Sequence, residues 1–200
     1  MTETYLIVGL GNPGREYRET RHNVGFMLLD RLAVKINARF TRLQSRALVA
    51  SAIYISSRVG KGEYKIILAK PQTFMNLSGQ SVQGLIHFYK LPLTNLLIAH
   101  DDLDLPTGTI RIRPDGGSAG QKGMTSILER LGTDDFARLR MGIGRPPGQM
   151  QAPDYVLHEF SNPDLAIISE ALNRAAEAVV TFVTEGLDAA MNKYNGSAEK

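Results

Sequence analysis

The sequence predicts an α/β fold, a single-domain three-layer sandwich in which a mixed, twisted β-sheet is flanked by helices. Three observations carry this. Short apolar runs of strand length alternate along the chain with longer segments whose apolar residues recur every three to four positions, the pattern of strands interleaved with helices. Two neighbouring strand-like runs, Arg46 to Ile55 and Tyr64 to Ala69, are joined by the hairpin-like Gly60-Lys61-Gly62, so some pairing is antiparallel and the sheet is mixed. Finally, 200 residues without a repeat or linker suit one substantial core. The expected organisation is one α/β domain over 1–192 and a polar C-terminal tail over 193–200.

The elements follow in order. Tyr5-Leu6-Ile7-Val8 reads as a buried strand over about 4–9. A helix over about 24–37 places Phe26, Leu29, Leu32, Ala33 and Ile36 on one face. After the hairpin, Ser78 reads as the N-cap of a helix that runs to Lys90 and stops before Pro92. Asn95 to Ala99 is a short strand ending where His100-Asp101 begins, and Thr109 to Arg113 is another. A glycine-rich loop, Asp115 to Gly120, feeds a helix at about 121–131. Arg138 to Ile143 alternates, with Arg138 and Arg140 on one side and Leu139 and Met141 on the other. The last helix starts at Ser161-x-x-Asp164 with Pro163 in its first turn. Its apolar stripe is Leu165, Ile168, Leu172, Ala175, Val179, Phe182 and Val183, and Gly186 stops it.

Composition narrows the classes of function. Absence of cysteine excludes disulfides, thiol catalysis and cysteine-ligated metal. No apolar run is long enough to span a bilayer, and no secretory leader is visible. A cytoplasmic protein without a membrane partner is expected. The net charge of +3 is mildly basic and by itself does not mark a nucleic-acid binder. Placement says more: Arg39, Arg42 and Arg46 cluster in the first half, and Arg111, Arg113, Arg138, Arg140 and Arg145 in the second. Such groups suit either solvated strand faces or a phosphate-tracking surface.

After the first strand comes Gly9-Leu-Gly11-Asn12-Pro13-Gly14, which matches a dinucleotide fingerprint in form. That fingerprint requires the third glycine to open a helix facing the pyrophosphate and an acidic residue about 20 positions on. Here Arg15 to Arg21 is polar, the helical pattern waits until Val24, and the later region reads Asn37-Ala38-Arg39-Phe40-Thr41-Arg42. The dinucleotide reading is rejected. Neither a G-x-S-x-G nucleophile elbow nor a metal-ligand pattern is present, so neither metal nor cofactor is expected.

Further motifs are Thr20-Arg21-His22-Asn23, Lys70-Pro-Gln-Thr-Phe74-Met75-Asn76-Leu-Ser-Gly79, His100-Asp101-Asp102-Leu-Asp104-Leu-Pro106 and Arg138-Leu-Arg140-Met-Gly142-Ile-Gly144. Taken in this order, they closely resemble the bacterial-type peptidyl-tRNA hydrolases, from about Leu6 to Gly186. The resemblance implies hydrolysis, by directly attacking water, of the ester between a peptide and the 3′ ribose of tRNA. The partner implied is peptidyl-tRNA, met at its acceptor stem, 3′ CCA end and 5′-phosphate; since nothing in the sequence suggests a large exposed apolar face, a monomer with no obligate protein partner is expected.

Roles carry over residue by residue. His22 matches the base, and neutral imidazole, with an ordinary pKa near 6.5, accepts a proton at neutral pH. Asp101 matches the acid that orients it. Asn12 matches the residue that distinguishes blocked peptidyl esters from free aminoacyl esters, and Asn76 the one that holds substrate or water. Tyr17, Phe74 and Met75 match substrate contacts, with the aromatic rings suited to stacking on a terminal adenosine. Arg113 and Arg140 match the positions that clamp a 5′-phosphate, which a guanidinium suits. One segment departs from the pattern. Where the family reads histidine-asparagine-glycine, this chain has Gln121-Lys122-Gly123, and Lys122 donates hydrogen bonds but accepts none. That change leaves open a second reading, an RNA-binding adaptor of the same fold with weak or no catalysis.

Overall fold

Seven strands form one sheet in the order β2-β3-β4-β1-β5-β7-β6, in a computed structural model that describes residues 2–56 and 62–195. The strands are β1 (Glu3–Gly9), β2 (Arg42–Gln44), β3 (Ala47–Ile55), β4 (Glu63–Pro71), β5 (Leu96–Asp102), β6 (Ile110–Arg113) and β7 (Ala137–Gly142). β1 pairs parallel with β4 and β5, and β5 parallel with β7. β2 with β3, β3 with β4, and β6 with β7 are antiparallel. The sheet is therefore mixed, as expected. The Gly60-Lys61 part of the expected hairpin turn lies outside the described residues.

Strand alternation splits the core into two layers. Tyr5 and Ile7 of β1 face α1 (Val24–Lys35), α5 (Asn162–Glu185) and α6 (Leu187–Tyr194). Leu6 and Val8 face α2 (Ser78–Tyr89) and α3 (Lys122–Leu131). With helices on both faces, successive side chains of the central strands are all buried.

Several expected boundaries move. β5 continues past Ala99 through His100, Asp101 and Asp102, because these residues pair in register with Arg140, Met141 and Gly142 of β7. Ser78 is not a cap: it is the first residue of α2, and its hydroxyl donates to the Met75 carbonyl at 2.8 Å. Ser161 does cap α5, but Leu165 of the expected stripe is 49% exposed. α4 (Ala152–Val156) and α6 were not foreseen. α6 also corrects the expected tail at 193–200. Tyr194 is buried, and the Asn195 side chain both accepts from the Ile112 N–H and donates to its carbonyl. Residues 196–200 lie outside the described ones.

The glycine-rich turn has a packing role. A Cβ on Gly9 would strike the Gly25 carbonyl, and one on Gly25 would lie 2.5 Å from the Leu10 nitrogen. These two glycines let the first turn of α1 sit directly on the end of β1, which fixes where the preceding residues, including His22, are held.

Candidate active site

The carboxyl ends of the parallel strands β1, β4 and β5 open onto one cleft of about 590 Å³, where open α/β sheets gather their ligands. Asn12 follows β1, Met75 and Asn76 follow β4, and Asp101 is the penultimate residue of β5. His22 enters from a 3₁₀ turn, Arg21–Asn23, that leads into α1.

That turn is pinned on both sides. Asn23 accepts from the Asn12 N–H and donates to the Asn12 carbonyl, each at 2.9 Å. The Arg21 guanidinium donates to the carbonyls of Glu159 at 2.6 Å and His158 at 3.2 Å, and lies over the Tyr155 ring at 4.2 Å. His22 is thereby held with Nδ1 2.8 Å from Asp101 Oδ2. A carboxylate only accepts, so Nδ1 carries the hydrogen, and the neutral ring has its lone pair on Nε2. His22 lines the cleft with its side chain 11% exposed, while that of Asp101 is 3% exposed. Between them they can take a proton from a molecule in the cleft and hold it.

Asn12 is also fixed. Its Oδ1 accepts from the Met75 N–H at 2.8 Å, so Nδ2 is the atom this residue offers the cleft it lines. Met75 is buried, whereas Phe74 and Asn76 are exposed at the rim. Lys122, exposed on the first turn of α3, lines the same cleft. Tyr17 does not. It ends a separate 3₁₀ turn, Arg15–Tyr17, and is half-buried.

Arg113 and Arg140 are not in this cleft. They line a second cavity of about 370 Å³ together with His100, Asp115 and Arg138. Arg140 Nε donates to Asp102, and Arg138 is tied to the carbonyls of Gly116 and Asp134. His100 lines both cavities, and its Nδ1 bonds to the Asp101 carbonyl at 2.8 Å. Burial holds the His100 imidazole below its ordinary value despite the raising influence of the Asp101 carbonyl and of the Asp101 and Asp102 carboxylates.

Sequence reasoning missed two residues here, Asn23 and Gln121. The Gln121 Oε1 accepts from the Met124 N–H at 2.7 Å, capping α3, and its Nε2 donates to Asp101 Oδ1 at 3.1 Å. The Asn23 signal was its place beside His22; glutamine is not among the preferred N-cap residues, so Gln121 showed only as a departure from the family pattern.

A mixed α/β sheet with a histidine–aspartate pair and amide side chains at the open ends of its parallel strands has the architecture of a hydrolase. A model of the family described as Peptidyl-tRNA hydrolase matches residues 6–200. The chain is 47% identical to the peptidyl-tRNA hydrolase of a Thermoanaerobacter species over 192 residues, 96% of this chain and 100% of that one. It is 48% identical to that of Chloroflexus aggregans over 192 residues, 96% and 98% of the two chains. The crystal structure of peptidyl-tRNA hydrolase from Acinetobacter baumannii matches with a TM-score of 0.85 at 33% identity, covering 98% of this chain and 97% of that one. The chain belongs to the peptidyl-tRNA hydrolase family.

Proposed function

We propose that this protein hydrolyses the ester between the C-terminus of a peptide, or an N-blocked amino acid, and the 3′ ribose of tRNA, returning tRNA from prematurely released peptidyl-tRNA. The observation that carries this is the His22–Asp101 pair, bonded at 2.8 Å and open to the cleft, in a member of this family.

Each step uses a residue in place. His22 Nε2 takes a proton from water as the water oxygen attacks the ester carbonyl carbon, and Asp101 stabilises the resulting imidazolium. The carbonyl oxygen becomes an oxyanion that hydrogen-bond donors in the cleft stabilise, while Asn76 at the rim holds substrate or the attacking water. Collapse breaks the bond to the ribose oxygen, which takes the proton back from His22. The products are tRNA with a free 3′ hydroxyl and a peptide carboxylic acid, which loses its remaining proton to solvent and leaves as the carboxylate. Asn12 Nδ2 donates to a peptide carbonyl that a free aminoacyl ester lacks. Phe74, 60% exposed, offers a face for the terminal adenosine, over the buried Met75. Lys122 reaches a ribose or phosphate oxygen at the rim. Arg113 and Arg140 receive the 5′-phosphate in the second cavity. Tyr17, on the turn that leads to His22, offers its ring to substrate beyond the cleft lining. Among the described residues no helix is long and apolar enough to cross a membrane, and a substrate made in translation places the enzyme in the cytoplasm, acting as a monomer.

The test incubates purified protein with N-acetyl-aminoacyl-tRNA and with aminoacyl-tRNA bearing a free amine. Release of the amino acid from the blocked substrate alone is expected. Binding of both without cleavage of either would leave an RNA-binding adaptor in its place.

A further inference from the structure

Gln121 stands where the family pattern has histidine, and its amide is fully committed. Its Oε1 faces the Met124 N–H at 2.7 Å, so its Nε2 is the atom left to face Asp101 Oδ1 at 3.1 Å and Met75 Sδ at 3.2 Å. The reverse orientation would set a carbonyl oxygen against a carboxylate and one N–H against another, so the network fixes the amide. Asp101 then has one oxygen on His22 and the other on Gln121. A single bond leaves a carboxylate free to turn about χ2; a second, from a helix end, holds its plane.

We infer that Gln121 is a positioning residue for the reaction proposed above: by donating to Asp101 Oδ1 from the cap of α3, it keeps Oδ2 on His22 and the lone pair of His22 on Nε2. The inference rests on that hydrolytic reading. A glutamine does this without titrating, so the hold on Asp101 is the same on either side of neutrality. It also ties the glycine-rich loop that precedes α3 to the reacting pair.

The deciding variant is Gln121→Asn. Asparagine caps a helix well, yet it is one methylene shorter and does not reach Asp101 from the same cap. Its kcat on N-acetyl-aminoacyl-tRNA is expected to fall about tenfold, the lower end of what outer hydrogen-bond partners contribute, with KM and Tm unchanged. Gln121→Glu keeps both cap and reach. While protonated its carboxyl still donates to Asp101, and once ionised it repels it. Its kcat therefore declines as pH rises, a limb that the parent protein lacks. Unchanged kcat in the Asn variant, a rise confined to KM, or a Glu variant with the parent's pH profile would each overturn the inference. Should the Asn variant lose Tm, the Glu variant, whose cap is intact, decides. The parent protein is assayed alongside. If it fails to cleave, the hydrolytic reading falls, while ¹⁵N spectra of the His22 ring still judge Gln121: one Nδ1–H tautomer in the parent and a mixture in the Asn variant support it, and identical spectra reject it.

Discussion

In the cleft, the groups nearest the chemistry are held by partners from other elements: His22 by Asp101 of β5, Asn12 by the backbone after β4, Asp101 by the start of α3. In the neighbouring cavity the charges are graded instead. Arg138 is buried and spent on backbone carbonyls, Arg140 is half-committed to Asp102, and Arg113 is exposed with no ion pair among the described residues. The difference suits the role proposed for each. A proton transfer fails when donor and acceptor drift by a fraction of an ångström, so its groups are locked. A phosphate is met by charge, which acts over several ångströms and tolerates a mobile side chain.

The largest effects are expected where the locking is tightest. His22→Ala should lower kcat by about 10²–10⁴-fold with the fold retained, and Asp101→Asn should fall as far. With Gln121 holding Oδ1, the new amide would turn its NH₂ toward His22 Nδ1 and force the hydrogen onto Nε2, removing the lone pair that acts as base. Single-turnover cleavage with circular dichroism as the fold control checks both. An Asp101→Asn variant with near-parent kcat would show that the pair is not locked.

The second cavity should separate binding from chemistry. Arg113→Ala is expected to raise KM for full-length substrate and to reduce the salt slope of binding by about one, with cleavage of a minimal ester substrate unaffected. Arg140→Ala should add a stability loss of about 3 kcal/mol, since it leaves Asp102, with its side chain only 4% exposed, without its cation. Equal losses on full-length and minimal substrates would break the contrast between the two cavities.

The shared wall gives a pH effect on stability. Because burial lowers the His100 value in the folded chain, the unfolded chain binds a proton below about pH 6.5 that the folded chain does not. Stability is then full above that pH and is lost as pH falls from it toward the lowered folded value, by at most about 1.4 kcal/mol per unit. The groups around His100 are Asp101 and Asp102 on its own strand, Arg140 and Arg138 on β7, Arg113 on β6 and Asp115 beyond it. Urea unfolding between pH 7 and pH 5 should show a shallower decline in His100→Gln. The smallest effect belongs to Lys122→Ala, which should raise KM about twofold at low salt and leave kcat alone, as suits an exposed charge.

Much of this was legible from residue order, for definite reasons. Strands such as Tyr5 to Val8 announce themselves by unbroken apolarity, and α5 by a capped amphipathic start. The end of β5 did not, since His100-Asp101-Asp102 looks like a polar loop until β7 supplies its hydrogen bonds. His22, Asp101 and Asn12 were proposed through motif resemblance, and the fold sets all three on one cleft; Tyr17, proposed with them, is not among the residues that line it. Gln121 was visible only as a departure from a pattern. Its reach to Asp101 depends on where α3 begins in space, and local sequence does not encode that.

The pairing of β1 with β5 carries one more consequence. The His22–Asp101 bond joins residues 79 positions apart: His22 stands on a turn after β1 and Asp101 on β5, and these strands run parallel and so need a long crossover. Such contacts form only after much of the chain has been gathered, and they slow folding. Partly folded species that lack this pairing contain every reactive side chain and yet have no reaction centre. During refolding, hydrolytic activity should therefore return with the slowest structural phase and not with the early gain of helix, making turnover a clock for completion of the sheet.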